Sequence, residues 1–229
     1  MENNKLPLHV GVIMDGNGRW AKKRHLPRSA GHKCGMDRMI GLAEHARVSG
    51  IKYLTVYALS TENLSSRPKD EIEGLFGLFR KYFGANVKKL YKNNAAVKIL
   101  GDLSALPEDV AALLKDGEKN SPENAEFTVL FAINYGGRAE IVSAVNRAVA
   151  DGRKLDEKSF SSLLYTGGVP DPDLIIRTGG EMRLSNFLTY QSAYAELYFT
   201  EVPFPDFSDG EFDKALNDYA GRERRFGKI

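Results

Sequence analysis

The segment Asp15–Trp20 combines an acidic residue, two glycines and an arginine directly after a short apolar run. Glycines let backbone amides approach an anion, and a helix start adds about half a positive charge, so this segment suits a phosphate group. Arg19 and Arg28 add guanidinium groups. A carboxylate repels a bound phosphate unless a cation lies between them. Asp15 therefore predicts a divalent metal, and magnesium is the metal that best fits this setting. Asp-Gly and Asn-Gly are also common turn dipeptides, and a plain turn stays open at this point.

Two other chemistries can use the same segment. The spacing Gly16-x-Gly18 matches part of a dinucleotide-binding fingerprint, but the acidic residue about 20 positions on, Asp37, falls inside a predicted helix instead of ending a strand. An aspartate nucleophile after an apolar strand resembles the haloacid dehalogenase phosphatases. Their second position carries a general acid, and Asn17 cannot transfer a proton at neutral pH. A magnesium-dependent phosphohydrolase using Asp15 stays open as the alternative enzyme.

A second polar group, Ser60–Asn63, follows another apolar run. Its small side chains can position a substrate or relay a proton. Asn63 is a poor base alone and would need a relay with Asp15 or with substrate phosphate oxygens. The same residues also fit the cap of a helix opening at Pro68, with Ser66 as the capping residue, and the two interpretations are compatible.

The third group, Arg177–Ser185, holds two arginines, two glycines and a serine. Arginine matches phosphate oxygens in a bidentate manner, so this segment predicts a second diphosphate site. A solvated loop in which Glu181 pairs with an arginine is the simpler alternative. Glu196 lies further on in an apolar stretch, where a carboxylate needs a partner, so we expect a metal or an arginine beside it.

The elements that position these groups follow from hydrophobic patterning. Apolar runs bounded by turn residues predict strands at 9–14, 53–59, 96–100, 127–133, 174–177 and 197–202. Helical spacing and start signals predict helices at 30–49, from Pro68 to about 92, and at 107–119, 138–151, 156–165 and 208–226.

Strands that are apolar on both faces and alternate with helices predict an α/β fold with a parallel sheet covered on two sides. Ligands bind beyond the carboxyl ends of such strands, so 15–20, 60–67, 134–138 and 177–185 should converge on one site. No linker or repeat interrupts the chain, and we expect one domain over residues 1–229.

Composition narrows the class of protein. The 229 residues are 42% hydrophobic and 27% charged, which is ordinary for a globular protein. A net charge of +2 gives no overall field that would attract nucleic acid, so any anion site must be local. The single cysteine, Cys34, fits a reducing compartment. No signal peptide or bilayer-spanning stretch is visible, so we expect a cytoplasmic protein with at most peripheral contact to a membrane.

Taken together, these motifs resemble the undecaprenyl diphosphate synthases, a family of cis-prenyltransferases. The resemblance runs in order from about residue 9 to 227. It rests on Asp15–Ala21, Arg28 with Gly31-His32, Ser60–Asn63, Asn134–Arg138, Arg177–Glu181, Arg183–Phe187, Ala193–Phe199 and Arg222–Gly227. No Asp-Asp-x-x-Asp motif is present, which separates the chain from the trans-prenyl synthases.

The resemblance implies a six-stranded, largely parallel sheet flanked by helices, an apolar product tunnel and a homodimer. It implies repeated addition of isopentenyl diphosphate to an allylic diphosphate, namely farnesyl diphosphate. Asp15 would hold Mg²⁺, with Glu196 as the second carboxylate within the chain or across the dimer, and Asn63 would be the candidate for proton removal. The implied substrate-binding residues are Gly16, Asn17, Gly18, Arg19, Trp20, Arg28, His32, Ser60, Thr61, Glu62, Leu64, Arg67, Arg177, Arg183, Leu184 and Ser185.

Two departures from the family pattern lie in one loop. Leu64 stands where the family commonly has tryptophan. Arg67 follows Asn63 by four residues instead of three, because an extra serine has entered the loop. Retention of the charged residues argues against the remaining alternative, a non-catalytic partner subunit of a prenyltransferase complex.

Two further expectations concern the tunnel and the tail. A stripe at helical spacing comprises Ile72, Leu75, Phe76, Phe79, Tyr82 and Phe83. Core packing against the sheet explains it most simply, and the resemblance suggests that the same face borders the tunnel, with Phe127 as a candidate for its floor. The resemblance also suggests that Arg225–Gly227 reaches isopentenyl diphosphate in the partner subunit.

Overall fold

A computed structural model describes residues 6–223. Within that range six strands form one sheet: β1 (His9–Ile13), β2 (Tyr53–Ser60), β3 (Ala95–Leu100), β4 (Phe127–Tyr135), β5 (Leu174–Arg177) and β6 (Glu196–Phe199). All neighbouring strands are parallel, in the order β3-β4-β2-β1-β5-β6. The predicted single-domain α/β fold with a six-stranded parallel sheet is confirmed.

Helices occupy most of the connections between strands. They are α1 (Asn17–Lys23), α2 (Arg28–Val48), α3 (Thr61–Ser66), α4 (Lys69–Leu78), α5 (Gly84–Lys92), α6 (Glu108–Lys119), α7 (Gly137–Ala150), α8 (Glu157–Ser161) and α9 (Asp209–Ala220). A π-helical turn, Phe79–Phe83, joins α4 to α5. The long helix predicted after Pro68 therefore exists, with one wider turn at its centre.

Three short stretches differ from the prediction. The polar group after β2 forms a helix of its own, α3, whose cap is Ser60, because the Ser60 hydroxyl accepts a hydrogen bond from the Asn63 amide at 3.0 Å. Ser66 is therefore not the cap of α4, which begins after Pro68 without a side-chain cap. The small predicted helix at 156–165 is only α8, and the terminal helix α9 ends before 226, with 224–226 lying outside the described residues.

The sheet separates two apolar clusters of different size. Along β4, Val129 and Phe131 face the larger cluster, which α2, α4, α5, α6 and α9 complete. Leu130 and Ala132 face the smaller one, which is closed mainly by the segment 184–188. This alternation has the period of two expected for a strand. The second face of the sheet is thus covered largely by a loop, while the first is covered by helices.

The register of the strands brings the predicted polar groups to one edge of the sheet. Ile13 of β1 pairs with Tyr57 of β2 on one side and with Arg177 of β5 on the other. Ser60 pairs with Tyr135 at the end of β4. The carboxyl ends of four strands therefore meet at a common edge, as the sequence predicts.

Candidate active site

Asp15 lies two residues beyond β1, at the centre of that edge. Its carboxylate accepts hydrogen bonds from the Gly16 amide at 2.6 Å and from Arg177 Nη2 at 3.0 Å, and Arg19 Nη2 lies 3.2 Å away. Burial alone would raise the pKa of Asp15, but the hydrogen bonds from Arg177 and the Gly16 amide hold it below its usual value. The carboxylate is therefore ionised at neutral pH and can bind a cation.

Arg177, the last residue of β5, is almost fully buried, with 6% of its side chain exposed. Besides Asp15, its guanidinium donates to Ser185 Oγ at 2.7 Å and to the carbonyl oxygen of Arg183. Its Nε has no hydrogen-bond partner within residues 6–223. Arg177 thus connects Asp15 to the 183–185 turn and keeps one N–H available. It therefore holds these two segments in place and can also bind a ligand.

Gly179 shows why the loop after β5 contains glycine. Its φ is +83°, a left-handed conformation, and a Cβ there would lie 3.0 Å from both Arg19 Nη2 and the Asp15 carbonyl oxygen. A side chain would therefore push the two loops apart. The Gly179 amide donates to the Val202 carbonyl at 2.9 Å, which fixes the loop from its other side.

Glu71, near the start of α4, gathers three of the predicted substrate-binding residues. Its carboxylate lies 2.8 Å from Arg67 Nη1, 3.2 Å from Arg28 Nη1 and 4.0 Å from His32 Nε2. Sequence reasoning missed Glu71, although its position four residues after Arg67 is the spacing at which opposite charges pair on successive helical turns. The contact keeps Arg67 in the site despite the extra serine in its loop.

Glu181 plays a similar part on the exposed side of the site. It lies 2.6 Å from Arg183 Nη1 and 3.7 Å from Arg19 Nη1. The predicted pairing of Glu181 with an arginine is therefore seen. Because 62% of the Arg183 side chain is exposed, this pair costs little to break, and Arg183 stays available to an anion.

Two half-buried side chains at the inner end of the site have unpartnered polar atoms. Burial, followed by the charges of Arg67 and Arg28, lowers the pKa of His32 to about 4, so the ring is neutral at pH 7. His32 Nε2 and Asn17 Oδ1 both lack hydrogen-bond partners in the described part of the chain. His32 therefore presents a neutral ring with an unpartnered nitrogen to the cleft.

Helix α3 supplies the remaining polar residues. The hydroxyl of Thr61 donates to Glu62 Oε2 at 3.1 Å, and Asn186 Nδ2 donates to Glu62 Oε1 at 2.8 Å. Burial would raise the pKa of Glu62, and hydrogen bonds, including that from Asn186, lower it overall. Glu62 is therefore an ionised, oriented carboxylate beside Asn63.

Most of these residues line a polar cleft or an adjoining surface groove, and Thr61, Glu71, Gly179 and Glu181 lie outside both linings. The polar cleft is lined by Ile13, Met14, Asp15, Asn17, His32, Tyr57, Ala58, Ser60, Glu62, Asn63, Arg67, Leu75, Arg177, Arg183, Ser185 and Asn186. The groove on the other side of Asp15 is lined by Gly16, Gly18, Arg19, Lys22, His25, Leu26 and Arg28. The two arginine clusters therefore face Asp15 from different sides.

An apolar cavity adjoins the inner end of the polar cleft. The residues that line both spaces are Met14, Asn17, His32, Ala58 and Leu75. Further in, the cavity is lined by Met36, Met39, Leu78, Phe79, Phe83, Val87, Phe131 and Phe204. Of the predicted stripe, Leu75, Phe79 and Phe83 line the cavity, whereas Ile72, Phe76 and Tyr82 do not. Phe79 and Phe83 also belong to the larger apolar cluster, together with Ile72 and Phe76. Phe131 lines the cavity, and Phe127, predicted as its floor, does not.

Several predicted residues lie outside both the cleft and the groove. Trp20 donates from Nε1 to Asp206 at 2.7 Å, and Arg24 lies over its ring at 4.3 Å. Leu64 packs against the larger apolar cluster and Leu184 against the smaller. Their predicted contact with substrate remains a prediction.

Glu196 is the first residue of β6 and lies at the amino end of the strands, opposite the end that carries Asp15. It pairs with Leu174 of β5, which pairs with Val10 of β1. Asp15 lies five residues beyond Val10, so the two carboxylates are separated by roughly 16 Å along the strand direction, at about 3.3 Å per residue. Within one chain, Asp15 and Glu196 are therefore too far apart to share a metal, and the predicted role of Glu196 as second carboxylate remains a prediction for a dimer. Glu196 Oε2 accepts a hydrogen bond from Arg222 at 2.7 Å, and the expected arginine partner is confirmed.

The surroundings of Asp15 resemble a magnesium site that is open to substrate and water, and not a site closed by several protein ligands. The described residues contain no cluster of three or more His, Cys, Asp or Glu side chains that could hold a metal. Magnesium is usually held by one or two carboxylates together with water and substrate phosphates, and Asp15 faces a space large enough for them. A single ionised carboxylate beside a phosphate site is consistent with that pattern.

Two sequence predictions meet the limits of the structure. Arg225–Gly227, predicted to reach the partner subunit, lies outside the described residues. None of the helices found between residues 6 and 223 is long and apolar enough to cross a membrane.

Comparison with known proteins shows similarity over nearly the whole chain. Residues 13–227 match the family model described as "Putative undecaprenyl diphosphate synthase". An isoprenyl transferase of Fusobacterium nucleatum is 49% identical over 230 residues, covering 100% of this chain and 99% of that protein. An isoprenyl transferase of Neisseria gonorrhoeae is 44% identical over 229 residues, covering 100% and 92%.

Solved structures show the same similarity in three dimensions. Lavandulyl diphosphate synthase from Lavandula x intermedia, in complex with dimethylallyl diphosphate, superposes with a TM-score of 0.93 at 35% identity over 97% of this chain and 99% of that one. A probable undecaprenyl diphosphate synthase from Campylobacter jejuni gives a TM-score of 0.83 at 35% identity over 99% and 100%.

Proposed function

The chain belongs to the undecaprenyl diphosphate synthase family and is a cis-prenyltransferase, and from this premise we propose that it condenses isopentenyl diphosphate with an allylic diphosphate in a magnesium-dependent reaction. Farnesyl diphosphate is the proposed primer. The proposed product is a cis-polyprenyl diphosphate such as undecaprenyl diphosphate, the lipid-carrier precursor of cell-wall synthesis. The dimethylallyl diphosphate bound to the lavandulyl diphosphate synthase supports an allylic diphosphate as one substrate class.

The observation that carries this proposal is that the apolar cavity adjoins the polar cleft and shares five lining residues with it. An allylic substrate has a charged diphosphate at one end and a hydrocarbon chain at the other. The cleft offers arginines and amides to the first, and the cavity offers Leu75, Phe79 and Phe83 to the second. Each methylene moved from water into such a cavity contributes about 0.8 kcal/mol, so the growing chain favours this position.

The proposed substrate positions follow the two arginine clusters. The amides of Gly16–Arg19 with Arg28 and His32 would bind the allylic diphosphate. Arg183 and Ser185, with the free N–H of Arg177, would bind isopentenyl diphosphate. Asp15 lies between the clusters, where it would hold magnesium against the leaving diphosphate. When bound, the metal would stabilise the negative charge that grows on that group.

The reaction forms one carbon–carbon bond and breaks one carbon–oxygen bond. The double bond of isopentenyl diphosphate attacks the first carbon of the allylic chain, inorganic diphosphate leaves, and one proton leaves the new chain. The arginines and amides lower the barrier because they are already oriented toward the developing charge. Asn63, in a relay with phosphate oxygens, is the proposed route for the proton. Asp15 is a weak base because its pKa is lowered.

We further propose a homodimer, with residues 1–229 as one domain. β6 is an edge strand, and the α7 side chains Val142, Val145 and Val149 are exposed apolar groups next to solvent in one chain. Exposed apolar patches and open edges commonly mark contact surfaces. Glu196 could act as a second carboxylate only across such a dimer. The proposed location is the cytoplasm, with peripheral membrane contact for release of the long product.

The test is incubation with farnesyl diphosphate, labelled isopentenyl diphosphate and magnesium, followed by chromatography of the chains. The proposal predicts labelled polyprenyl chains that disappear when EDTA is added. Release of phosphate or diphosphate without chain growth would instead show the phosphohydrolase. Activity only after addition of a second prenyltransferase subunit would show the non-catalytic partner.

A further inference from the structure

Asn186 stands at the junction of the two sides of the polar cleft. It directly follows Ser185, which faces Arg177, and its side-chain amide reaches across to Glu62 of α3. Asn186 Nδ2 donates to Glu62 Oε1 at 2.8 Å. Asn186 Oδ1 accepts from the Arg138 amide at 2.9 Å. Both ends of the amide are therefore used, one by α3 and the other by the start of α7.

The backbone around Asn186 adopts an uncommon conformation. Ser185 and Asn186 have φ values of +49° and +65°, in the left-handed region that non-glycine residues seldom occupy. Such a turn is unfavourable and persists only where its surroundings hold it. The Asn186 carbonyl accepts from the Gly137 amide at 2.7 Å, and the Ser185 carbonyl accepts from the Tyr57 hydroxyl at 3.3 Å.

The glycines of the turn after β4 leave room for this arrangement. A Cβ on Gly136 would lie 2.8 Å from Asn186 Nδ2 and 2.6 Å from Thr61 Oγ1. A Cβ on Gly137 would lie 2.5 Å from Thr189 Oγ1. The motif Asn134–Arg138 therefore packs against the Asn186 turn and supports it. This motif can thus contribute to the site without contacting a phosphate.

These contacts form one continuous chain across the site. It runs from Asp15 through Arg177 to Ser185 by hydrogen bonds, then along the backbone to Asn186, and from there to Glu62. A shift of Asn186 would move Ser185 on one side and release Glu62 on the other. The first residue lies on the proposed isopentenyl diphosphate side, and the second lies on α3 beside Asn63.

We propose that Asn186 is a positioning residue that fixes the Ser185 turn and the Glu62 carboxylate relative to each other, so that isopentenyl diphosphate is bound in register with α3. This role rests on the proposed function. It requires a side chain that donates toward Glu62 and accepts from the Arg138 amide, which asparagine does and aspartate does not.

Two variants separate this role from simple stability. Asn186→Gly keeps the positive φ without strain and removes both side-chain contacts. Asn186→Asp keeps the shape but sets a carboxylate against Glu62. We expect both to raise the KM for isopentenyl diphosphate about tenfold, while the Kd for farnesyl diphosphate changes less than twofold, because the allylic cluster around Arg28 does not touch Asn186.

Glu62→Gln combined with Asn186→Asp supplies the decisive control. In the double variant the new amide at position 62 can donate to the new carboxylate at position 186, so the contact returns with its direction reversed and the number of carboxylates is unchanged. We expect the KM for isopentenyl diphosphate to fall at least threefold below that of Asn186→Asp alone, whatever happens to kcat through the change at position 62 itself.

The measurements are steady-state kinetics with each substrate varied, farnesyl diphosphate binding by calorimetry, and thermal unfolding of every variant. A lower unfolding temperature with unchanged KM values in Asn186→Gly would overturn the proposal and leave Asn186 a structural residue only. A double variant no better than Asn186→Asp would also overturn it. Failure of the wild-type protein to elongate farnesyl diphosphate would refute the proposed function instead, and that assay is therefore run first.

Discussion

The two ends of the same parallel sheet carry buried polar groups of similar kinds but use them differently. At the amino end His9 is fully buried, with Nδ1 at 2.7 Å from the Pro170 carbonyl and Nε2 at 2.7 Å from Thr55 Oγ1. At the same end Asp173 accepts from the amides of Leu8 and His9, and Glu196 pairs with Arg222.

The carboxyl end leaves polar atoms unpaired. Three buried side-chain atoms at this end, on Asn17, His32 and Arg177, have no hydrogen-bond partner in the described part of the chain. Buried polar groups are normally hydrogen-bonded, so an unpaired one calls for a cause. At the amino end, hydrogen-bonded polar groups stabilise the sheet, whereas at the carboxyl end the unpaired ones mark where a substrate would supply the missing partner.

The largest effect should come from Asp15. Alanine would leave the buried Arg177 without its ion pair, so Asp15→Asn is the cleaner change, because it keeps the shape and an acceptor oxygen. We expect kcat to fall about a thousandfold with little loss of stability, since charge stabilisation is lost where the reaction needs it. Kinetics at saturating magnesium and both substrates, with thermal unfolding, would measure this. Asp37→Asn, on an exposed pair of α2, is the matched control.

Near-normal turnover of Asp15→Asn would contradict the assignment of Asp15 to the metal. It would also break the distinction between the two ends of the sheet, because the carboxylate at the centre of the carboxyl end would then be structural.

At the amino end of the sheet, substitution of His9 should change stability and leave activity unaltered. Burial lowers the pKa of His9 to about 4 in the folded protein, against 6.5 for the free side chain. As the pH falls below 6.5 the unfolded chain binds a proton first, so stability is full above that pH and is lost progressively toward pH 4. The loss from His9 should not exceed about 3 kcal/mol.

Denaturant unfolding of the wild type and of His9→Gln between pH 7.5 and 4 would measure this contribution. The variant should lose less stability over that range and keep wild-type activity at pH 7.5. His32 shifts in the same direction in both proteins, so the difference between them isolates His9. Equal pH dependence in the two proteins would show that His9 is not the group responsible.

A smaller and more selective effect is expected at Arg183. This exposed arginine pairs only with Glu181 among the salt bridges of the described residues. Arg183→Ala should raise the KM for isopentenyl diphosphate about tenfold, the value of one charge-assisted contact, and the KM for farnesyl diphosphate much less. Initial-rate kinetics with each substrate varied would decide. Equal effects on the two substrates would show that the arginine clusters do not divide the substrates.

The last prediction concerns product length and the cavity wall. Phe83 and Phe127 are both buried, with 4% and 1% exposure, but only Phe83 lines the cavity. Phe83→Ala should shift the product distribution toward longer chains, because it extends the space open to the hydrocarbon. Both truncations should cost stability, about 3–5 kcal/mol, as large core truncations do, but Phe127→Ala should leave product length unchanged. Chromatography of products would distinguish them, and a longer product from Phe127→Ala alone would restore Phe127 as the floor.

The sequence allowed the fold and the edge of the sheet that carries the site to be predicted well. Apolar runs that end at Asp15, Ser60 and Arg177 set the strands, and parallel strands must present their carboxyl ends together. The separation of Glu196 from Asp15 could not be predicted, because it depends on where β6 begins within the sheet and not on the residue types.

Contacts between distant segments were also beyond local patterns. Glu71 carries an ordinary helix-start signal, since acidic residues are common in a first turn. Its meeting with Arg28 depends on how α4 packs against α2. Asn186 lies in the motif Arg183–Phe187, yet its contact with Glu62 joins residues 124 positions apart. No sequence-spacing rule predicts contacts at that separation.

The most direct measurement is a crystal structure of the protein with magnesium and the unreactive analogue farnesyl thiodiphosphate. We expect the diphosphate beside Asp15 and Arg28, with the farnesyl chain entering the cavity between Leu75 and Phe79. His32 Nε2 would then gain a phosphate oxygen as its partner. A farnesyl chain lying outside the cavity, or a diphosphate away from Asp15, would refute the proposed position of the allylic substrate.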